Sequence, residues 1–129
     1  MESSYARKLF GTAAIFNGAA GLPILLAGGQ VSALFGLPPP ASLLFSQIAG
    51  MAVLLFGIGY WMEARRPGEN RAVVTIGMIG KIGIFVLAAG HLAIGSVNWV
   101  LPALAAVDIS YAYLFWRYLS ATKQRGNPH

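Results

Sequence analysis

Lys81, Asp108, Asn17, Tyr111, His91 and Gln47 are the side chains of this sequence best suited to chemistry, because each stands inside an otherwise apolar run. A lysine and a carboxylate at one depth of a low-dielectric interior can pair, exchange a proton, or hold the polar end of a ligand. Lys81, Asp108 or His91 could act as acid or base, while Asn17, Gln47 and Tyr111 supply hydrogen bonds. The clearest case is "VTIGMIGKIGIFVLAAGHLAIG", residues 74–95, which carries Lys81 near its centre and His91 about three turns later.

Helical spacing sorts these residues into two layers. At about 100° per residue, Gly77, Ile84, Ala88, His91 and Gly95 fall within about 80° of Lys81, which places the lysine and histidine on one small-residue face. Ten residues separate them, or about 15 Å along the axis. Counted from the ends of their apolar runs, Lys81, Asp108 and Asn17 all lie roughly 13 to 17 Å deep. A Lys81–Asp108 pair with Asn17 nearby is therefore expected near mid-membrane, with Tyr111 one turn beyond Asp108 and able to hydrogen-bond into the layer. His91 and Gln47 form a second, outer layer.

The elements that position these groups are four apolar runs: Leu9 to Gly29, Leu43 to Met62, Ala72 to Val97 and Trp99 to Trp116. Each approaches the ~20 residues that cross a ~30 Å hydrocarbon core. The 129-residue chain is 57% hydrophobic and 10% charged, with a mean hydropathy of +0.65. Such a composition belongs to a membrane protein. The expected fold is all-α: a single domain, residues 1–129, of four transmembrane helices in an antiparallel bundle. Sixteen glycines, many within these runs, suit close helix packing and leave room for a homodimer or a larger membrane complex.

Charge orients the bundle. Arg7 and Lys8 precede the first run, Arg65, Arg66 and Arg71 lie between the second and third, and Arg117, Lys123 and Arg125 follow the fourth. The connections at 30–42 and at Asn98 carry no charged residue. The positive-inside rule then places both termini in the cytoplasm. The net charge of +5 meets anionic lipid headgroups of the bilayer and no nucleic acid, since no basic element remains to enter a groove. Arg7-Lys8, the first apolar run and "VSA" (31–33) also imitate a signal peptide, but the run is long and contains Asn17 and Pro23, so retention of the first helix is the expectation.

Local signals complete the outline. A Gly21 to Pro23 break is expected in the first helix, a short interfacial turn at Val31, Leu34 and Phe35, and a cap at Ser42. In "EARRPGENR", Pro67-Gly68 breaks the chain, Glu63 and Glu69 pair with the local arginines, and the short turn makes the flanking helices antiparallel neighbours. Tyr60, Trp61, Trp116 and Tyr118 are expected in one interfacial belt and Trp99 in the other.

Several chemistries are excluded. With no cysteine, thiol nucleophiles, disulfide exchange and thiolate metal sites are absent. His91 is the single internal histidine and His129 lies at the tail, so a bis-histidine haem is not expected; Asp108 and His91 differ in depth, so neither metal nor cofactor is expected. "GMIGKIG" lacks the spacing and the Ser/Thr of a phosphate loop. Ser46 and Ser110 have no neighbouring base in sequence.

The opening "RKLFGTAAIFNGAAGL", with Arg7, Gly11, Phe16 and Gly18, resembles the DoxX-like group of small four-helix bacterial membrane proteins. The resemblance covers the first helix and implies a bacterial inner-membrane protein, and it carries no activity across; the lysine that often follows the second glycine in that group is missing. Small multidrug transporters share the size and helix count, but their hallmark glutamate in the first helix is here Asn17. The leading expectation is binding or transport of a small or lipophilic molecule through the Lys81, Asp108, Asn17 and Tyr111 layer, with Gln47 and His91 at its outer mouth. The alternatives are a membrane enzyme using acid/base chemistry on a lipophilic substrate, and a non-catalytic accessory subunit. A Lys81–Asp108 pair that only registers two helices, or a Lys81 that snorkels to the surface, remain structural alternatives.

Overall fold

The computed structural model describes the backbone of residues 2–126 and the side chains of residues 3–122, so the side chains of Lys123, Arg125 and His129 lie outside the described residues. The described chain is all-helical: α1 (Glu2–Leu26), α2 (Gly28–Leu34), α3 (Leu43–Arg65), α4 (Arg71–Ala93) and α5 (Val100–Gly126). Three helices, α1, α3 and α4, are long and apolar enough to cross a membrane. α5 is longer still at 27 residues, but Asp108, Arg117 and three tyrosines make it more polar.

The first apolar run is divided, though not where proline suggested. α1 runs through Pro23 and ends one turn later at Ala27, whose φ of −147° and ψ of 49° leave the helical region. Proline removes one donor, yet the next turn closes normally with Ala27 N donating to Pro23 O at 2.7 Å. The third run is also shorter than its hydropathy, because α4 stops at Ala93. Gly95 takes φ +79°, Ser96 N donates to His91 O and Gly95 N to Leu92 O, a Schellman close that a side chain would strain. Ser42 caps α3 as expected, accepting from Phe45 N at 3.3 Å. Asn98 starts α5 by accepting from Val100 N, and it ties the two connections at this end together by donating to Leu34 O and, from its backbone, to Phe35 O.

The α1–α3 pairing follows the small residues, whereas α4 and α5 pair across a short connection. α1 packs most extensively on α3 and α4 on α5, whereas α3 and α4 touch briefly despite the short turn between them. A Cβ on Gly50 would collide with the backbone N of Leu25 and lie 2.8 Å from Leu25 Cα, and one on Gly21 would lie 2.8 Å from Leu54 N. Backbone meets backbone there, so only glycine fits. The expectation that the intramembrane glycines all serve packing is corrected at Gly11, Gly18, Gly80, Gly83 and Gly90, where a Cβ would meet nothing within 4 Å.

The core gathers at the end carrying the 66–70 turn. Phe10 of α1, Tyr60 of α3, Val74 of α4, and Phe115 and Tyr118 of α5 are buried together. Their rings touch, with Phe10–Phe115 at 5.0 Å, Phe10–Tyr118 at 4.9 Å and Tyr60–Phe115 at 5.1 Å between centroids, the last two edge-to-face. Tyr60 and Tyr118 thus leave the expected interfacial belt for the core, while Trp61, Trp99 and Trp116 stay exposed. At the far end α3 and α4 expose nearly every side chain. Ile15, Leu26, Phe45, Val86, Leu87 and Ile94 are between 61% and 78% exposed, a degree of apolar surface that water does not tolerate and lipid does.

The α1–α3 contact yields a prediction. Gly50→Ala forces two backbones apart and lowers stability by about 1–3 kcal/mol, read as a fall in the midpoint of thermal unfolding in detergent, whereas Gly80→Ala at an open position leaves it unchanged. Equal effects of the two would show that α1 and α3 do not meet at Gly50.

Candidate functional site

α4 buries a stripe of Val74, Gly77, Lys81 and Ala88, spaced so that each falls on the face turned to the other helices. Lys81 is 5% exposed. Its Nζ donates to Asp108 Oδ1 of α5 at 2.6 Å and to Asn17 Oδ1 of α1 at 3.0 Å. Asn17 is oriented in turn by α3, since its Nδ2 donates to Val53 O at 3.0 Å. Phe16, Tyr60 and Tyr111 surround the same ammonium, their ring centres 5.3, 5.5 and 5.5 Å away. Aromatic faces carry negative electrostatic potential, worth up to about 2 kcal/mol each to a desolvated cation. All four long helices therefore contribute to one cation-holding layer, and the snorkelling alternative does not describe this lysine.

The two ends of the ion pair are not equivalent. The side chain of Asp108 is 18% exposed against 6% for Lys81. Oδ1 accepts from Lys81, and among the described residues Oδ2 has no hydrogen-bond partner. Val107, Ser110, Tyr111 and Leu114 of α5, and not Asp108 itself, form one wall of a groove of about 430 Å³ whose other wall is α1. Tyr111 belongs to both places: its ring lines the groove and also faces the Lys81 ammonium. Its expected hydrogen bond into the layer is replaced by this ring contact, and by packing on Phe16 at 6.0 Å.

The outer layer does not assemble. His91 is exposed, with Nδ1 2.6 Å from Ser96 Oγ in the turn that closes α4, and Gln47 is exposed on α3. No hydrogen bond joins the two among the described residues. The angular argument for His91 fails because the buried stripe of α4 ends at Ala88. Ile84, counted on the same inward face, is 47% exposed although it lies between buried Lys81 and Ala88.

A second buried carboxylate was missed in the sequence. Glu63 was expected to pair with arginines of the turn, but it is fully buried. Its Oε2 accepts from Gly68 N at 2.9 Å and from Tyr118 Oη at 2.7 Å, and its Oε1 accepts from Asn70 N at 2.8 Å. Glu63 thus holds the 66–70 turn and the start of α4 against α5. Arg71 reinforces the latch by donating to Leu119 O at 2.9 Å and to Thr122 Oγ1. Burial, and then the hydrogen bond to the Glu63 carboxylate, push the Tyr118 phenol above the ordinary tyrosine range, so it remains the donor. The available signal was helical spacing: Glu63 lies three residues after Tyr60 and adjoins Ala64 on the buried face. Only the other glutamate of the turn behaves as expected, Glu69 pairing with Arg66 at 3.7 Å on the exposed surface.

These features define an all-helical protein, three of whose helices suit a membrane, with a lysine caged inside by a carboxylate, an amide and three aromatic rings. No protein-family model matches the chain, and no curated protein or solved structure matches it.

The latch is testable by stability. Glu63→Gln turns an acceptor into a donor facing another donor and costs about 1–3 kcal/mol, read as loss of thermal stability in detergent. Glu69→Gln, which removes an exposed pair, changes it by less than about 1 kcal/mol. A Glu63→Gln protein as stable as Glu69→Gln would remove Glu63 from the account of how α4 is docked.

Proposed function

We propose that the protein crosses a bacterial inner membrane four times, through α1, α3, α4 and α5, with both termini in the cytoplasm, and that it binds or carries a small lipophilic molecule bearing a hydrogen-bond donor. The topology rests on charge. The end of the bundle with the termini and the 66–70 turn holds Arg7, Lys8, Arg65, Arg66, Arg71 and Arg117, and the opposite connections hold no charged residue. α5 is the fourth span on this reading because it supplies Asp108 to Lys81; the pair neutralises the charge that lowers its hydropathy. The likeness of α1 to DoxX-like proteins agrees with such a bundle and adds no ligand.

The observation that carries the ligand reading is Asp108 Oδ2, a carboxylate oxygen of a partly exposed side chain at mid-bundle that has no hydrogen-bond partner among the described residues. In hydrocarbon an unsatisfied polar atom costs several kcal/mol, and a ligand donor recovers that cost. Tyr111 carries the ligand's apolar body from the α1–α5 groove to the pair. The enzyme alternative is less well supported, since the Lys81 ammonium already engages two oxygens and three rings.

Native mass spectrometry of protein extracted gently from its own membrane tests this reading. A bound small molecule is expected with the unsubstituted chain and lost from Asp108→Asn and Lys81→Met while both remain inserted and folded. If the single changes instead aggregate and the Lys81→Met/Asp108→Asn double variant restores folding without any bound molecule, the pair is structural and the ligand reading falls. Removing one member of a buried pair costs about 3–5 kcal/mol, so the double variant is the deciding one.

Topology is tested separately, and the absence of native cysteine makes single-cysteine labelling clean. In intact cells an impermeant maleimide is expected to label Pro39→Cys and to spare Ser3→Cys, Glu69→Cys and Ser120→Cys. Labelling of Ser120→Cys together with Pro39→Cys would mean that α5 does not cross.

A further inference from the structure

A second groove, of about 580 Å³, runs between α1 and α3 on a different side of α1 from the Tyr111 groove. Its floor is made by Gly11 and Gly18, where a Cβ would meet nothing within 4 Å, and its walls include Ile15 and Leu54. The two glycines lie two turns apart, so the open floor is about 10 Å long. Its mouth is basic: Arg7 and Lys8 are exposed at the start of the groove, across from Trp61. The Arg65 guanidinium lies 4.9 Å from the Trp61 ring centre and brings a third cation to the same rim. None of the three makes an ion pair among the described residues.

We infer that this groove is a binding site for one anionic phospholipid, with its phosphate between Arg7 and Lys8 and an acyl chain laid over Gly11 and Gly18. The complementarity is that of an amphiphile. A soluble anion uses the cations and leaves the apolar floor uncovered; a zwitterionic lipid covers the floor but brings a cation of its own to the basic rim and leaves its charge uncompensated. Basic residues at a membrane surface attract anionic lipid by roughly five-fold each, and an interfacial tryptophan favours the headgroup level at which Trp61 stands. The site is separate from the Lys81 layer, and its occupancy does not depend on whether that layer binds a ligand or on which way the chain faces.

The test uses full-length protein with the exposed Trp99 and Trp116 replaced, W99F/W116F, reconstituted in vesicles so that Trp61 alone reports. Bromine on the acyl chains of phosphatidylglycerol or phosphatidylcholine quenches a tryptophan it touches. At equal mole fractions, Trp61 is expected to be quenched preferentially by the brominated phosphatidylglycerol, with a relative binding constant roughly five-fold above one for each cation engaged. R7Q/K8Q brings the ratio to about one. G11L/G18L, which fills the floor without meeting another atom at Cβ, abolishes the preference while the cations remain. Excess inorganic phosphate leaves the ratio unchanged. A ratio near one in the unsubstituted groove, a preference that survives either pair of substitutions, or one that inorganic phosphate removes would each overturn the site; the last would assign the cations to a free anion.

Discussion

An ammonium group held away from water must be given acceptors and countercharge by the protein, and in this chain that requirement falls on Lys81. α4 cannot meet it alone, because its own side chains at this level are glycine and aliphatic residues. Asp108 and Tyr111 come from α5, Asn17 and Phe16 from α1, and Tyr60 from α3. Slipping any of these helices by one residue moves its side chain by about 1.5 Å along the axis and turns it by about 100°. Either displacement breaks a hydrogen bond whose loss is costly in a low-dielectric interior. The lysine therefore sets the relative depth and rotation of four helices with one group of contacts.

The aromatic core and the Glu63 latch lie toward the turn from this layer and answer a different need. Lipid gives apolar helices no reason to associate, so packing detail and hydrogen bonds must do so. Glycines bring α1 and α3 into backbone contact, rings of Phe10, Tyr60, Phe115 and Tyr118 interlock between the helix pairs, and Glu63 satisfies two turn amides and a phenol at once. Where these devices stop, so does the packing: beyond Ala88 α4 presents apolar residues outward, and His91 goes out with them. At the other end α1 and α3 stay in contact at Leu25 and Gly50, and Asn98 links the two connections through Leu34 and Phe35.

Two grooves border α1, and their chemistry differs. Lys8 and Thr12 stand on the ridge between them. The α1–α5 groove is lined by Tyr111, whose ring also faces the Lys81 ammonium; the α1–α3 groove is apolar along its floor and basic at its rim. The proposed ligand, selected by a hydrogen-bond donor, belongs to the first, and the proposed anionic lipid to the second.

From the sequence by itself came the all-helical class, apolar runs of membrane length, the one-sided placement of arginine and lysine, and the juxtaposition of Lys81, Asp108 and Asn17. Each depends on composition or on axial rise, quantities that a helix carries along its own length. The pair could be anticipated because charges at mid-depth have few other partners. Rotation about the helix axis was less legible: His91 and Gln47 are exposed, Tyr60 and Tyr118 moved from an interface to the core, and Glu63 turned inward from an arginine-rich turn. Which face a helix buries depends on how far its neighbour extends beside it, and for α3 and α4 the short turn between them concealed that their main partners are α1 and α5. Only the tertiary structure decided this, because backbone contact at Gly21 and Gly50, and not chain connectivity, selects the helix that lies closest.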